Sequence, residues 1–233
     1  MHALADFYEA LGYPKSRWHI GPEHPSLETY AIRLLESLPN ARVLEVGYQA
    51  GGFAVPIIVG LQHHPRFEYV GIDNLAYANA VNGDVIARFL QDQGVTAHYS
   101  FAVGDAQRFL RRLPPRPFDL VLIDHYKPLY PHGFLTILQR HLVRPGGYVL
   151  FHDVLGRARD VWKDCAVICR RYGCSWRVVA EIPEGLAVVT VPGEVPGWHW
   201  RPVVACEVVK VRTAMQLARL RLSRFRHAKE RVP

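Results

Sequence analysis

Ala41-Arg-Val-Leu-Glu-Val-Gly-Tyr-Gln-Ala-Gly-Gly52 decides how the rest of the chain is read, because an apolar strand breaks there into a glycine turn that opens onto another apolar, helical run. An α/β protein builds a cradle for a nucleotide-like ligand in this way. Gly47 can take the tight turn after the strand, and Gly51 and Gly52 carry no side chain to keep a ligand from the helix start. Glycine turns after strands also occur in folds with no ligand, so the reading needs support from elsewhere in the chain.

That support comes from three further strand-like runs. Phe67-Glu-Tyr-Val-Gly-Ile-Asp73 ends in an acid 22 residues beyond Gly51, where a carboxylate can accept hydrogen bonds from both ribose hydroxyls of an adenosine. His98-Tyr-Ser-Phe-Ala-Val-Gly-Asp105 ends in Gly-Asp, and Phe118-Asp-Leu-Val-Leu-Ile-Asp124 ends in an acid. Capping of the following helix is the competing role for Asp73, Asp105 or Asp124 taken singly. Four strand ends in a row, each with an acid or a glycine turn, point to a shared edge.

Alternating patterns place strands at about 42–47, 68–73, 97–102, 118–124, 147–152, 175–182 and 185–191, with helical stretches between them until the last pair. That pair, joined by Ile-Pro-Glu, reads as an antiparallel hairpin. Right-handed crossovers would gather the four motif ends on one edge. Residues 3–11 and 26–38 read as helices ahead of the core, with Pro25 suited to the second helix's first turn. Between them lies the segment of Trp18 and His19, where Trp18 could anchor a loop to the surface.

The 233 residues, nearly half of them hydrophobic, suit one α/β domain with a few additions. No apolar run approaches the roughly 20 residues that span a bilayer, and the start lacks a signal-peptide pattern, so a cytoplasmic protein is expected. Cys165, Cys169, Cys174 and Cys206 fit no usual zinc spacing. On a helix over 160–172, Cys165 and Cys169 share a face and are expected to pack on the sheet.

These motifs resemble those of the class I S-adenosylmethionine-dependent methyltransferases. Glu45-Val-Gly47-x-x-x-Gly51 is similar to their first motif, Asp73 to the ribose acid, and Gly104-Asp105-Ala106 to the motif beside the adenine; the likeness runs from about 40 to about 190. It implies a Rossmann-like α/β fold: a seven-stranded, mostly parallel sheet with one antiparallel strand and helices on both faces. It also implies an N-terminal helical cap (1–39), a cofactor-binding core (40–192) and a C-terminal extension (193–233). The implied cofactor set is Glu45, Gly47, Tyr48, Gly51, Asp73, Asn74, Asp105, Ala106 and Asp124. Gln49 departs from the glycine that many members carry in the first loop.

Within the class, Ile123-Asp-His-Tyr-Lys127 followed by Gly146-Gly-Tyr-Val-Leu-Phe-His-Asp153 is most similar to the metal-dependent small-molecule O-methyltransferases, of which catechol O-methyltransferase is the type. It is similar also to bacterial methyltransferases related to cephalosporin- and sugar-modifying enzymes. The resemblance implies Lys127 as a catalytic base with a lowered pKa, His125 as an alternate base or a packing residue, and His152 as a base or metal ligand. Asp124, His152 and Asp153 are the implied metal set. The catechol type completes a magnesium site with Asp-Asn after strand five, and an imidazole is a poor substitute there. Asp124 and Asp153 with water, a softer ion such as manganese or iron, and no metal at all remain alternatives.

The expected reaction is O-methylation of a small hydroxylated acceptor (a phenol, sugar or natural product), with Tyr126, Tyr130 and Phe134 forming an aromatic lip and His132 exposed beside it. Two rival readings stand. From Lys210 to Pro233 there are eight Lys or Arg and one acid, so the whole formal charge of +7 resides in this tail. Val211, Met215, Ala218, Leu222 and Phe225 would stripe one face of a helix there. Such a helix could dock on its own domain, join a homo-oligomer, lie on an anionic membrane or bind nucleic acid, making an RNA-directed methyltransferase. The absence of Asn-Pro-Pro-Tyr, Asp-Pro-Pro-Tyr and Pro-Cys motifs speaks against base methylation. The other rival is a cofactor-binding scaffold with no chemistry of its own.

Overall fold

The computed structural model describes residues 26–193 except 78, 79 and 183. The expected helix over 3–11, Trp18, His19, Cys206 and the basic tail lie outside the described residues. Seven strands, β1 (Ala41–Val46), β2 (Phe67–Asp73), β3 (His98–Val103), β4 (Phe118–Ile123), β5 (Val143–His152), β6 (Ser175–Val179) and β7 (Leu186–Thr190), form one sheet in the order β3-β2-β1-β4-β5-β7-β6. β1 to β5 run parallel, and β7 is antiparallel to both β5 and β6. The one reversed strand and the hairpin are those expected. β5 starts four residues early, through Arg144-Pro-Gly-Gly147, and β6 stops at Val179 rather than near 182.

β4 shows why the sheet sits between two layers. Leu120 and Leu122 enter one apolar cluster and Val121 and Ile123 the other, and all four are fully buried. A strand apolar on both faces is stable only when both are covered. α1 (Leu27–Glu36), α2 (Ala54–Leu61) and α3 (Gly83–Asp92) cover one face, contributing Leu27, Ala31, Leu35, Ile57, Ile58, Ile86 and Leu90. α4 (Ala106–Arg112), α5 (Tyr130–Gln139) and α6 (Arg159–Arg171) cover the other with Leu110, Phe134, Ile137, Cys165 and Cys169. The two α6 cysteines are free thiols facing the sheet, as their spacing implied. Among the described residues no helix is long and apolar enough to cross a membrane.

Local chemistry corrects three expectations. Ser26 caps α1, its hydroxyl accepting from Thr29 N–H at 3.2 Å, so Pro25 precedes the cap instead of occupying the first turn. Tyr130-Pro-His-Gly133 is the first turn of α5 and not a flexible lip; Pro131 is tolerated there because a first-turn N–H has no helical partner to lose. Tyr130 and Phe134 are wholly buried and His132 is partly buried, which leaves Tyr126 as the one partly exposed aromatic of the expected lip.

The turn after β1 depends on a glycine. Gly47 has φ +100°, and a Cβ there would stand 2.5 Å from the Asp124 carbonyl oxygen and 2.7 Å from His125 N. Gly94 also has positive φ (+70°), but its Cβ would meet open space. Gly94→Ala should therefore lose only the left-handed backbone penalty, about 1 kcal/mol. Gly47→Ala should lose at least about twice as much, because the β1 and β4 ends must also separate. Urea unfolding of the two variants makes the comparison.

Candidate active site

The C-terminal ends of the central strands are tied together by main-chain bonds. Gly47 N–H donates to Ile72 O at 2.8 Å, Asp124 N–H to Val46 O at 2.9 Å and Gly104 N–H to Asp73 O at 2.8 Å. The strand order reverses between β1 and β4, which is where open α/β sheets bind ligands. Asp73 is nearly buried at this point, accepting from Gln49 N–H at 2.8 Å and Leu75 N–H at 2.6 Å through separate oxygens. Each oxygen keeps a lone pair for a further donor. Gln49 reaches it by adopting φ +49°, so this non-glycine holds the left-handed backbone that glycine would adopt freely.

Other members of the expected cofactor set have structural tasks. Asp105 caps α4, its Oδ1 accepting from Arg108 N–H at 2.8 Å, with Ala106 as the first helical residue. Gly51 (φ +80°) lets the turn pack on α3, since a Cβ would sit 3.0 Å from Ile86. Tyr48 turns its ring into the core against Phe101, and its hydroxyl accepts from Gly83 N–H at 3.2 Å. Glu45 is fully buried and takes the Tyr69 hydroxyl, and burial pushes its pKa well up. Asn74 is exposed and closes a local turn on Ala76 N–H at 3.1 Å.

Two buried nitrogens converge where Gly133 leaves room. His125 Nε2 and Gln107 Nε2 have no hydrogen-bond partner among the described residues, and lie 3.4 and 3.5 Å from the position of the missing Gly133 Cβ. Burial pushes His125 down to about 4. Gln107 follows the Gly104-Asp105-Ala106 motif directly but carries no motif signature of its own. A buried polar atom without a partner costs about 1–3 kcal/mol, so such a pair fits a polar ligand that would satisfy both nitrogens.

Charged groups gather across the β4 and β5 ends. Lys127 Nζ forms an ion pair with Asp124 Oδ1 and with Asp153 Oδ2 (2.7 Å) and donates to the Tyr130 hydroxyl (2.8 Å). Tyr130 donates to Asp124 Oδ1 at 3.1 Å. His152 Nδ1 stands 3.0 Å from Asp153 Oδ1 and 3.5 Å from Asp124 Oδ2. The donor atoms of Asp124, His152 and Asp153 lie within 4.8 Å of one another, as a shared metal site would need, but the lysine ammonium already bridges the two carboxylates.

Lys127 does not have the lowered pKa that a base requires. Burial acts downward, yet Asp124 and Asp153 outweigh it and raise the lysine above its ordinary value. His152 also rises: burial opposes its charge, but the hydrogen bond and charge of Asp124 and the charge of Asp153 favour it. Two acids not singled out in the sequence also reach the cluster. Glu184, at the hairpin tip, hydrogen-bonds Asp153 and is itself raised by that bond, and Glu28 of α1 is close enough to feel His152.

Residues 44–154 match a family model described as a methyltransferase domain. No curated protein matches the sequence. Among solved structures the chain is similar to the O-methyltransferase from Bacillus cereus in complex with SAH (16% identity, 82% of this chain and 91% of that one, TM-score 0.64). It is also similar to TomG from Streptomyces achromogenes in complex with SAM, an O-methyltransferase involved in tomaymycin synthesis (21%, 83% and 91%, TM-score 0.61). The SAH-bound methyltransferase PaMTH1 from Podospora anserina gives 20% identity over 80% of this chain and 86% of that one, with TM-score 0.59. At these identities the likeness is one of fold.

The two histidines should titrate in opposite directions from the ordinary value of 6.5. His152 should stay protonated above pH 6.5, so its contribution to stability is full below that value and is lost as pH rises through its folded pKa. His125 should stay neutral until near pH 4, so its contribution is present above pH 6.5 and is lost as pH falls toward 4. Ring-nitrogen NMR shifts followed from pH 4 to 8 check both.

Proposed function

We propose that this chain, whose residues 44–154 form a methyltransferase domain on a class I fold, is an S-adenosylmethionine-dependent O-methyltransferase acting on a small hydroxylated acceptor. The observation that carries the reading is the Asp124, Lys127, His152 and Asp153 cluster at the β4 and β5 ends, set beside the Asp73 cradle and tied to it through Gly47. The solved structures of the same fold that are named as O-methyltransferases, with SAM or SAH bound, support the choice of cofactor and of oxygen.

When bound, the cofactor supplies a sulfonium methyl group already activated toward an oxygen nucleophile. Asp73 offers its remaining lone pairs to the ribose hydroxyls, and His125 and Gln107 offer buried nitrogens to the adenine side. The turn that begins at Gly47 packs directly on the peptide between Asp124 and His125.

The acceptor hydroxyl must lose its proton as the methyl group arrives. His152 takes it: with Nδ1 held by Asp153 and Asp124, Nε2 is left as the basic nitrogen. A histidine pKa moved up from 6.5 suits a base working near neutral pH. Lys127 serves as a fixed positive charge that favours the oxyanion over the alcohol, in place of the base role its motif implied. Orientation of the acceptor in line with the methyl group supplies the rest.

Calorimetric titration with S-adenosylmethionine should show saturable binding that weakens at least about tenfold in Asp73→Ala. His152→Ala should keep that binding and lose about 100-fold or more in kcat on a hydroxylated acceptor that the wild type methylates. Absence of cofactor binding by the wild type would remove the methyltransferase reading. Unchanged turnover in His152→Ala would remove the base.

A further inference from the structure

The resemblance implies Asp124, His152 and Asp153 as a metal set, with no metal as one alternative, and the donor set present does not fit a divalent ion. All four carboxylate oxygens are engaged: Asp124 Oδ1 by Lys127 and Tyr130, Asp124 Oδ2 by His152 at 3.5 Å, Asp153 Oδ2 by Lys127 at 2.7 Å and Asp153 Oδ1 by His152 at 3.0 Å. Magnesium needs near-octahedral oxygen ligation at about 2.0–2.1 Å, and the third donor here is an imidazole. An ion entering would have to expel the ammonium or stand against its charge.

We infer that Lys127 is a built-in substitute for the divalent ion: its tethered ammonium bridges the carboxylates of Asp124 and Asp153 and joins the β4 and β5 ends, so that the site works without a metal. The sequence spacing supplies the mechanism. Asp124, Lys127 and Tyr130 recur at intervals of three, and Lys127–Leu129 is a 3₁₀ turn, in which residues three apart lie over one another. The turn therefore sets the lysine over the Tyr130 hydroxyl, Asp124 lies three residues before it in the chain, and only the Asp153 contact, at 2.7 Å, comes from a distant part of the chain. Asp153 is presented by a left-handed backbone, φ +64°, that an aspartate tolerates better than most residues. Tyr130 is fully buried, so the phenol that completes the ammonium's shell is fixed by the core.

Removing the ammonium leaves two facing carboxylates and an imidazole, which is a set that takes manganese. The catalytic meaning of the substitution rests on the methyltransferase reading; the ion chemistry is tested apart from it. Manganese binding to the full chain is followed by electron paramagnetic resonance, counting only the binding that Asp153→Asn abolishes. The wild type should show no such site up to about 1 mM Mn²⁺, whereas Lys127→Ala and the length-preserving Lys127→Met should each gain one at least about tenfold tighter. Circular dichroism melts establish that the variants fold.

An Asp153-dependent manganese site in the wild type would overturn the inference, and so would folded Lys127 variants that bind no more manganese than the wild type. Should neither variant fold, the wild-type titration decides alone. With an acceptor in hand, chelator-treated wild type should keep its turnover, and loss of turnover restored by Mg²⁺ or Mn²⁺ would likewise overturn it. None of the manganese measurements depends on S-adenosylmethionine, so their failure is distinct from failure of the cofactor titration.

Discussion

The closeness of Gly47 to the peptide between Asp124 and His125 is the constraint on which the site depends. A side chain at 47 would stand 2.5 Å from the Asp124 carbonyl oxygen, so the turn after β1 and the end of β4 are in direct backbone contact. Gly47 also donates to Ile72 and Asp124 to Val46, so the ends of β2, β1 and β4 are bonded to one another. The ligand cradle at Asp73 and the charged cluster at Asp124 are thereby held in fixed relation without a side-chain contact between them. Reactions that rely on alignment gain most from that arrangement.

Charge in the cluster is balanced within the chain. Two carboxylates face one lysine, and His152 supplies or withholds a second positive charge according to pH. Partly buried ions are stabilised by pairing and hydrogen bonding, and here each of the four is held by more than one partner. The Tyr130 phenol is kept protonated, its pKa pushed well up by burial and then by the neighbouring carboxylates, so it acts as a donor to Asp124 and adds no charge. The lysine that the motif offered as a base is, in this setting, the group that stays charged.

Much of this was legible in the sequence because backbone patterns are local. The apolar runs ending at Val46, Asp73, Val103 and Ile123, and the reversed strand after Ile-Pro-Glu, follow from period and turn chemistry. The interior roles were not legible, since they depend on partners far along the chain. Lys127 meets Asp153 through β5, and Glu184 reaches the same carboxylate from the hairpin. Tyr130 and Phe134 read as part of an aromatic lip, but both are fully buried. Pro131 instead opens a helix, and Gly133 lies in that helix facing His125 and Gln107. Gln107 had no motif to mark it; its unpaired amide nitrogen becomes visible only once α4 and α5 pack together.

The antiparallel return of β7 also brings the hairpin tip back over the end of β5. Leu155 N–H donates to Glu184 O at 2.8 Å and Val154 N–H to Gly185 O at 3.3 Å, while His152 pairs in register with Leu186. One wall of the charged cluster is thus made from chain that follows the last parallel strand. Through Glu184 and Gly185 the last hairpin is coupled to Asp153 and Val154, so late chain shapes the charged cluster while the turn that meets Asp73 is set early in the chain.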